Sequence, residues 1–208
     1  MLESDWIWQP NSVRFRPSYF THKPEFGKAS HVFRSPYWMV EYILPPKKEM
    51  DRRDITVFLS ETEGKHVVNF YDPRVPVPAA YGDLIKCGSP ESIIPDLNVK
   101  ATTKATSSIV VNGSVGDRIT KDDPIAFTYN NIRHYYRAKT DLVLDGTDQT
   151  LDVYLRPRYT LGGLDIVTDR VRPTNRFLID INQIDDLTTS DGVTSFTITG
   201  VEFYGALT

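Results

Sequence analysis

Cysteine is nearly absent from this 208-residue chain. The single Cys87 leaves no internal disulfide framework and no CxxC metal motif, and a lone thiol of this kind is expected to be buried or half-buried. Histidine is scarce as well: His22, His31, His66 and His134 form no HxH or HExxH spacing, so an imidazole metal site has no support in the sequence. No stretch approaches the roughly 20 apolar residues of a membrane-spanning helix. The opening MLESDWIWQPN lacks the basic and apolar regions of a signal peptide, so the expectation is a soluble chain made in cytoplasm. Charge of one sign is not in excess either. The chain has 24 Lys and Arg against 27 Asp and Glu, a net charge of -3, which excludes a polybasic nucleic-acid binder and a disordered tail. Repeats and low-complexity tracts are missing, which excludes solenoids and collagen.

What the chain does have is aromatic residues, 12% of the total, with 11 Tyr and 10 Phe. Flat and β-branched side chains pack well on a pleated surface, so the fold class is mainly β. Val13, Phe15, Tyr19 and Phe20 stand among Arg14, Arg16 and Ser18, a period-2 strand with Pro17 marking an edge or bulge. Trp38, Val40, Tyr42 and Leu44 then share one face of a long central strand. Pro45 and Pro46 end it, and Met50, Ile55, Phe58 and Leu59 follow at helical spacing, predicting one helix capped by Gly64. His66 to Tyr71 is a short strand. Pro73, Pro76 and Pro78 next forbid helix and ladder pairing, and residues 83 to 103 read as a connector. From Ser107 to Tyr159, short strands with tight turns at Asn130-Asn131 and Asp145-Gly146 have the spacing of a small barrel. A hairpin closes the chain.

Catalytic signatures are missing in the same way. No GxSxG elbow or GxxxxGK[ST] loop occurs, and Gly162-Gly163 reads as a turn. Asp122-Asp123 and Asp185-Asp186 are adjacent pairs that would point to opposite faces of a strand, so they read as turn residues and not as shared-proton dyads. Arg14, Arg16, Arg34, Arg52 and Arg53 are spread over several elements, as solvated faces or subunit-contact charge. One cluster, His134-Tyr135-Tyr136, offers rings for stacking on a sugar or base. A strand with one tyrosine inward and one outward accounts for the same letters.

The order of segments carries more than any motif. An aromatic opening, Trp38 in a strand, a helix ending near Leu59-Ser60, Gly64, and a strand running into Phe70-Tyr71-Asp72-Pro73-Arg74 and Pro76 together resemble the front of distal tail proteins and related tail-hub proteins of tailed bacteriophages. The later block, with Gly116-Asp117, Tyr135, Asp145-Gly146 and Val153 to Arg158, resembles a phage-tail module, and Phe196 to Tyr204, with Glu202, resembles the return strand of a tail-tube-like fold. Lys121-Asp122-Asp123-Pro124 and Arg156-Pro157-Arg158 depart from the family pattern. The resemblance implies a tail-tube-like β-sandwich with one flanking helix, formed by residues 1–98 and 170–208, plus a small OB-like β-barrel over 99–169.

It further implies a structural virion protein, not an enzyme and without cofactor: a hexameric ring in the virion tail, joining the tail tube protein to hub or baseplate proteins and letting DNA pass through its channel without specific binding. Arg74, Val75, Pro76 and Pro78 are the expected subunit contacts, since prolines hold an arm extended at low entropic cost. A mildly acidic lining would let DNA slide. The competing expectation is a carbohydrate-binding β module using His134, Tyr135, Tyr136 or Trp8 on a host-surface glycan. A hydrolase using Asp and His from several loops is the third.

Overall fold

The computed structural model describes residues 12–18, 21–22, 31–32, 37–43, 65–188 and 194–204. The chain is mainly β and divides into two compact units. Described residues of the first come from 12–18, 37–43, 65–70, 176–188 and 194–204; those of the second are 21–22, 31–32 and 71–175.

Alternation builds the first unit. In β1 (Ser12–Ser18) Phe15 is buried between exposed Arg14 and Arg16. In β4 (Tyr37–Ile43) Trp38, Val40 and Tyr42 are buried and the residues between them are half-buried, as the period-2 reading predicts. These strands join β5 (Lys65–Tyr71), β14 (Thr174–Thr188) and β15 (Thr194–Glu202) in a sheet ordered β1-β4-β15-β14-β5. Pro17 lies in β1, an edge strand of this order, where the missing N–H costs no ladder bond. The closing hairpin is β14 and β15, with a register slip between Ile179 and Ile184. The packing is aromatic: Phe15 meets Phe177 edge-on at 5.3 Å, and Phe70 lies 4.8 Å from Tyr42 and 6.0 Å from Phe177. Buried Glu202 accepts the Trp38 N–H at 2.9 Å, which satisfies a backbone donor inside the sheet.

The second unit holds a two-residue ladder of β2 (Thr21–His22) with β3 (His31–Val32). It also holds a six-stranded antiparallel sheet ordered β13-β6-β7-β12-β10-β9. Its strands are β6 (Leu97–Thr103), β7 (Ser108–Gly113), β9 (Pro124–Tyr129), β10 (Ile132–Ala138), β12 (Gln149–Tyr154) and β13 (Ile166–Val167). A separate short ladder joins β8 (Arg118–Ile119) to β11 (Leu142–Val143). Leu97, Val99, Ile109, Val111, Ile125, Phe127, Tyr136 and Leu151 form the core. Asn130 and Asn131 turn between β9 and β10 at φ 49° and 60°, the left-handed pair that a tight hairpin needs.

Several expectations need correction. The six-stranded sheet is no closed barrel: its edges, β9 and the segment after β13, meet at the single bridge Ala126 to Asp169. Residues 83–103 are more than a connector, since β6 runs through them. A helix, α1 (Ala79–Lys86), starts immediately after Pro78, the last of the prolines that exclude one. Asp145-Gly146 is a turn and not a hairpin, because β11 pairs with β8 and β12 pairs with β7 and β10. Cys87 is exposed, because it caps a helix that contributes no buried residue. The helix expected between Pro46 and Gly64 lies outside the described residues, and within them the first unit is one sheet. Two of the joins between units fall at 70/71 and 175/176, where the expected domain boundaries are 98/99 and 169/170, and residues 72–81 are bonded to side chains of the second unit; residues 21–22 and 31–32 join that unit from between β1 and β4.

Gly200 sits in β15 opposite Val40 and Ile179, and a Cβ there would stand 3.0 Å from Phe177 Cβ and 3.0 Å from Val40 Cγ1. Gly200→Ala is expected to cost about 1–3 kcal/mol by overpacking, read as a lower midpoint in denaturant unfolding. Val40→Ala in the same chain should recover part of that loss.

Candidate functional site

Charged residues of the second unit are drawn into three arginine clamps. The first fixes the segment leaving β5. Asp72 is fully buried, and its carboxylate accepts from Arg137 Nη2 at 2.5 Å and from Arg74 at 2.9 and 2.6 Å. Arg137, projecting from β10, also donates to Asp122 at 2.9 Å. Burial alone would raise the Asp72 carboxyl, but the hydrogen bonds from Arg74 and Arg137 outweigh it and hold the group below its ordinary 3.8.

The second clamp fixes the returning segment. Arg133, also on β10, donates to the Thr174 carbonyl at 2.8 Å and pairs with Asp169 at 2.5 Å. The third is Arg170, which donates to Asp117 at 2.5 Å and to the Pro95 carbonyl at 3.0 Å, with its guanidinium 5.6 Å from the centre of the Tyr81 ring. Tyr81 on α1 donates to the other Asp117 oxygen at 2.7 Å, and burial followed by that bond pushes its hydroxyl up to about 12. Asp123 receives the first N–H of α1 from Ala79 at 2.8 Å, and the Thr120 N–H at 2.8 Å. Pro78 supplies no side-chain cap, so Asp123 takes that place from 44 residues away. Its carboxyl is raised by burial in spite of the two donors.

Between α1 and the turn before β9 lies a cleft of about 440 Å³. Of the expected subunit contacts it gathers Arg74, Val75 and Pro76: Arg74 is exposed on the wall, ion-paired to Asp72, and Val75 and Pro76 are half-buried. Pro78 is buried and does not join them. Lys121 and Asp122 face the same space.

The rings expected to meet a glycan turn inward. His134, Tyr135 and Tyr136 are 3%, 2% and 5% exposed. Both faces of β10 are covered: His134 stacks on Phe127 at 4.8 Å, Tyr136 joins the core, and Tyr135 shares the other face with the two clamp arginines. Burial raises the Tyr135 hydroxyl to about 12. Asp122 is a turn residue, as expected, at φ 73°, whereas Asp123 is buried and bonded. Sequence reading missed Arg133, Arg137 and Arg170, and had Asp117 only as part of a Gly-Asp motif, without its partner Arg170. Asp72 and Arg74 were visible as part of a motif, but not their partner 65 residues away.

Among the described residues no group of three His, Cys, Asp or Glu is placed to hold a metal ion. No helix among them is long and apolar enough to cross a membrane. No protein-family model matches the chain, and no curated protein sequence matches it.

Two pH-dependent outcomes follow from the clamp strand. Asp72→Asn removes the charge opposite buried Arg137 and is expected to cost about 3 kcal/mol at neutral pH. Because the folded Asp72 is held below 3.8, its contribution is full above that value and is lost as pH falls through the folded one. Urea midpoints of variant and wild type should therefore converge only in strong acid. His134 is lowered to about 4, first by burial and then by Arg133. It stays neutral in the fold while the unfolded chain protonates near 6.5, so stability falls as pH drops from 6.5 to 4, by up to about 3 kcal/mol. His134→Phe, measured by the same unfolding across that window, should flatten the slope.

Proposed function

We propose that the chain is a structural virion protein, a distal tail (hub or baseplate) ring component that links a tail tube to the tail tip around the DNA channel. The observation that carries this reading is the course of the chain. β5 leads directly into Asp72-Pro73-Arg74, the segment on which the resemblance turns, and then into most of the second unit, which also takes residues 21–22 and 31–32 from between β1 and β4. β14 and β15 afterwards return to the same sheet as β5. That order, a sheet made from both ends of the chain with a unit inserted between its strands, is the one the resemblance implies.

Two further features support a role in assembly. The buried ionisable groups Asp72, Asp117, Arg133, Arg137 and Arg170 are all spent on holding segments in place. Among the described residues, the first sheet has β1 at one edge and β5 at the other, as head-to-tail contacts between identical subunits require two different surfaces. Burial of His134, Tyr135 and Tyr136 takes three of the rings named for the carbohydrate-binding alternative away from the surface; the fourth, Trp8, lies outside the described residues.

Light scattering with negative-stain microscopy across a concentration series tests the reading. Closed rings of about six copies, with a hole wide enough for duplex DNA, are the expected result. A monomer at every concentration would overturn the ring.

A further inference from the structure

The second unit is polarised along β7. At the start of that strand, the turn 104–107 lies against the loop 155–163. The Lys104 N–H donates to Thr160 Oγ1 at 3.2 Å, Thr102 and Leu161 exchange backbone bonds at 2.9 and 3.0 Å, and the Val153 N–H reaches the Ser107 carbonyl at 3.0 Å. These two segments bring together Lys104, Arg156 and Arg158 and contain no acidic residue. Lys104 and Arg156 are exposed, and Tyr159 in the same loop as Arg156 is 44% exposed, with its ring edge-on to His134 and its carbonyl accepting from Thr102 Oγ1 at 2.8 Å.

The far end of β7 has the opposite character. Asn112 donates to Asp148 Oδ1 at 2.9 Å, the Gly116 N–H donates to the Leu144 carbonyl at 2.8 Å, and Leu97 pairs with Gly113. The turn 113–116 is thereby surrounded by exposed Asp96, Asp145 and Asp148, and its tip is Val115, 78% exposed. Hydrogen bonds from Thr147 hold the Asp145 carboxyl below its ordinary value, so this end keeps its charge. Each end also has an exposed charge of the other sign on an adjoining strand, Asp152 on β12 and Arg118 on β8. Six residues of β7 separate the two ends by about 20 Å.

We propose that these ends are the two halves of a head-to-tail contact between copies of this chain: the acidic, Val115-tipped end of one second unit seats on the basic, Tyr159-tipped end of the next. Each copy then uses both surfaces once, which is the heterologous arrangement that propagates and closes into rings. Opposite potentials steer the encounter and set its orientation, while Val115 and Tyr159 supply apolar and aromatic area at its centre. The contact deepens the ring reading and rests on it, since it names where the second units touch.

Sedimentation velocity of the full chain at low salt tests it. Two variants reverse the ends separately: Lys104→Glu with Arg156→Glu, and Asp96→Lys with Asp148→Lys. Each is expected to self-associate about tenfold more weakly than the wild type or worse, because like charges then meet. An equimolar mixture of the two should recover association, which a folding defect in either variant would not allow. Added salt should weaken the wild-type contact, since exposed charges are screened. Variants that associate as the wild type does would overturn this contact while leaving any rings, and the ring reading with them, intact. Loss on reversing one end only would also overturn it. A wild type that assembles in none of these conditions would count against both.

Discussion

Asp72 is a carboxylate taken out of water, and such a group is tolerated only where cations and hydrogen bonds replace the solvent it has lost. Arg74 and Arg137 do this, and the geometry they require fixes where the chain goes next. With Asp72 anchored on β10, Val75 to Val77 are laid along the second unit, and α1 starts where Asp123 can receive its first N–H. An eight-residue helix that buries none of its own side chains is marginal by itself. It persists because Asp123 and Asp117 hold two of its residues from outside.

The same strand disposes of the other connection. Arg133 and Arg137 lie on one face of β10, four residues apart, and each grips a different segment, so a single strand sets both the departure and the return of the chain. Tyr135 is enclosed between them. This accounts for a strand whose residues 133 to 138 are all buried, a pattern that neither a simple alternation nor an exposed ligand-binding face would produce.

What could be read from the sequence was local. Trp38, Val40 and Tyr42 declare β4 because alternation needs only neighbours, and Asn130-Asn131 declares its hairpin because the turn chemistry lies within two residues. The clamps could not be read in that way. Arg137 and Asp72 are 65 residues apart, Arg170 and Asp117 are 53 apart, and neither arginine differs in its local setting from one that faces solvent. The prolines before Ala79 masked α1, because they do exclude a helix through Pro78 and leave too short a window after it for periodicity to register. β6 was hidden by the same limit: seven residues of mixed polarity become a strand through pairing with β7. His134, Tyr135 and Tyr136 were legible as strand residues, but not as residues covered on both sides, since the cover comes from distant segments.

Because β5 ends at Tyr71 and β14 begins at Thr174, and the two are neighbours in one sheet, the first unit does not need the inserted stretch to bring its own strands together. The second unit, for its part, carries the devices that hold its two ends. Such an arrangement is a cassette. The strands of the first sheet on either side set no length or shape for the stretch between those two residues; what ties it elsewhere is the β2 and β3 segment, which the second unit takes from the chain between β1 and β4.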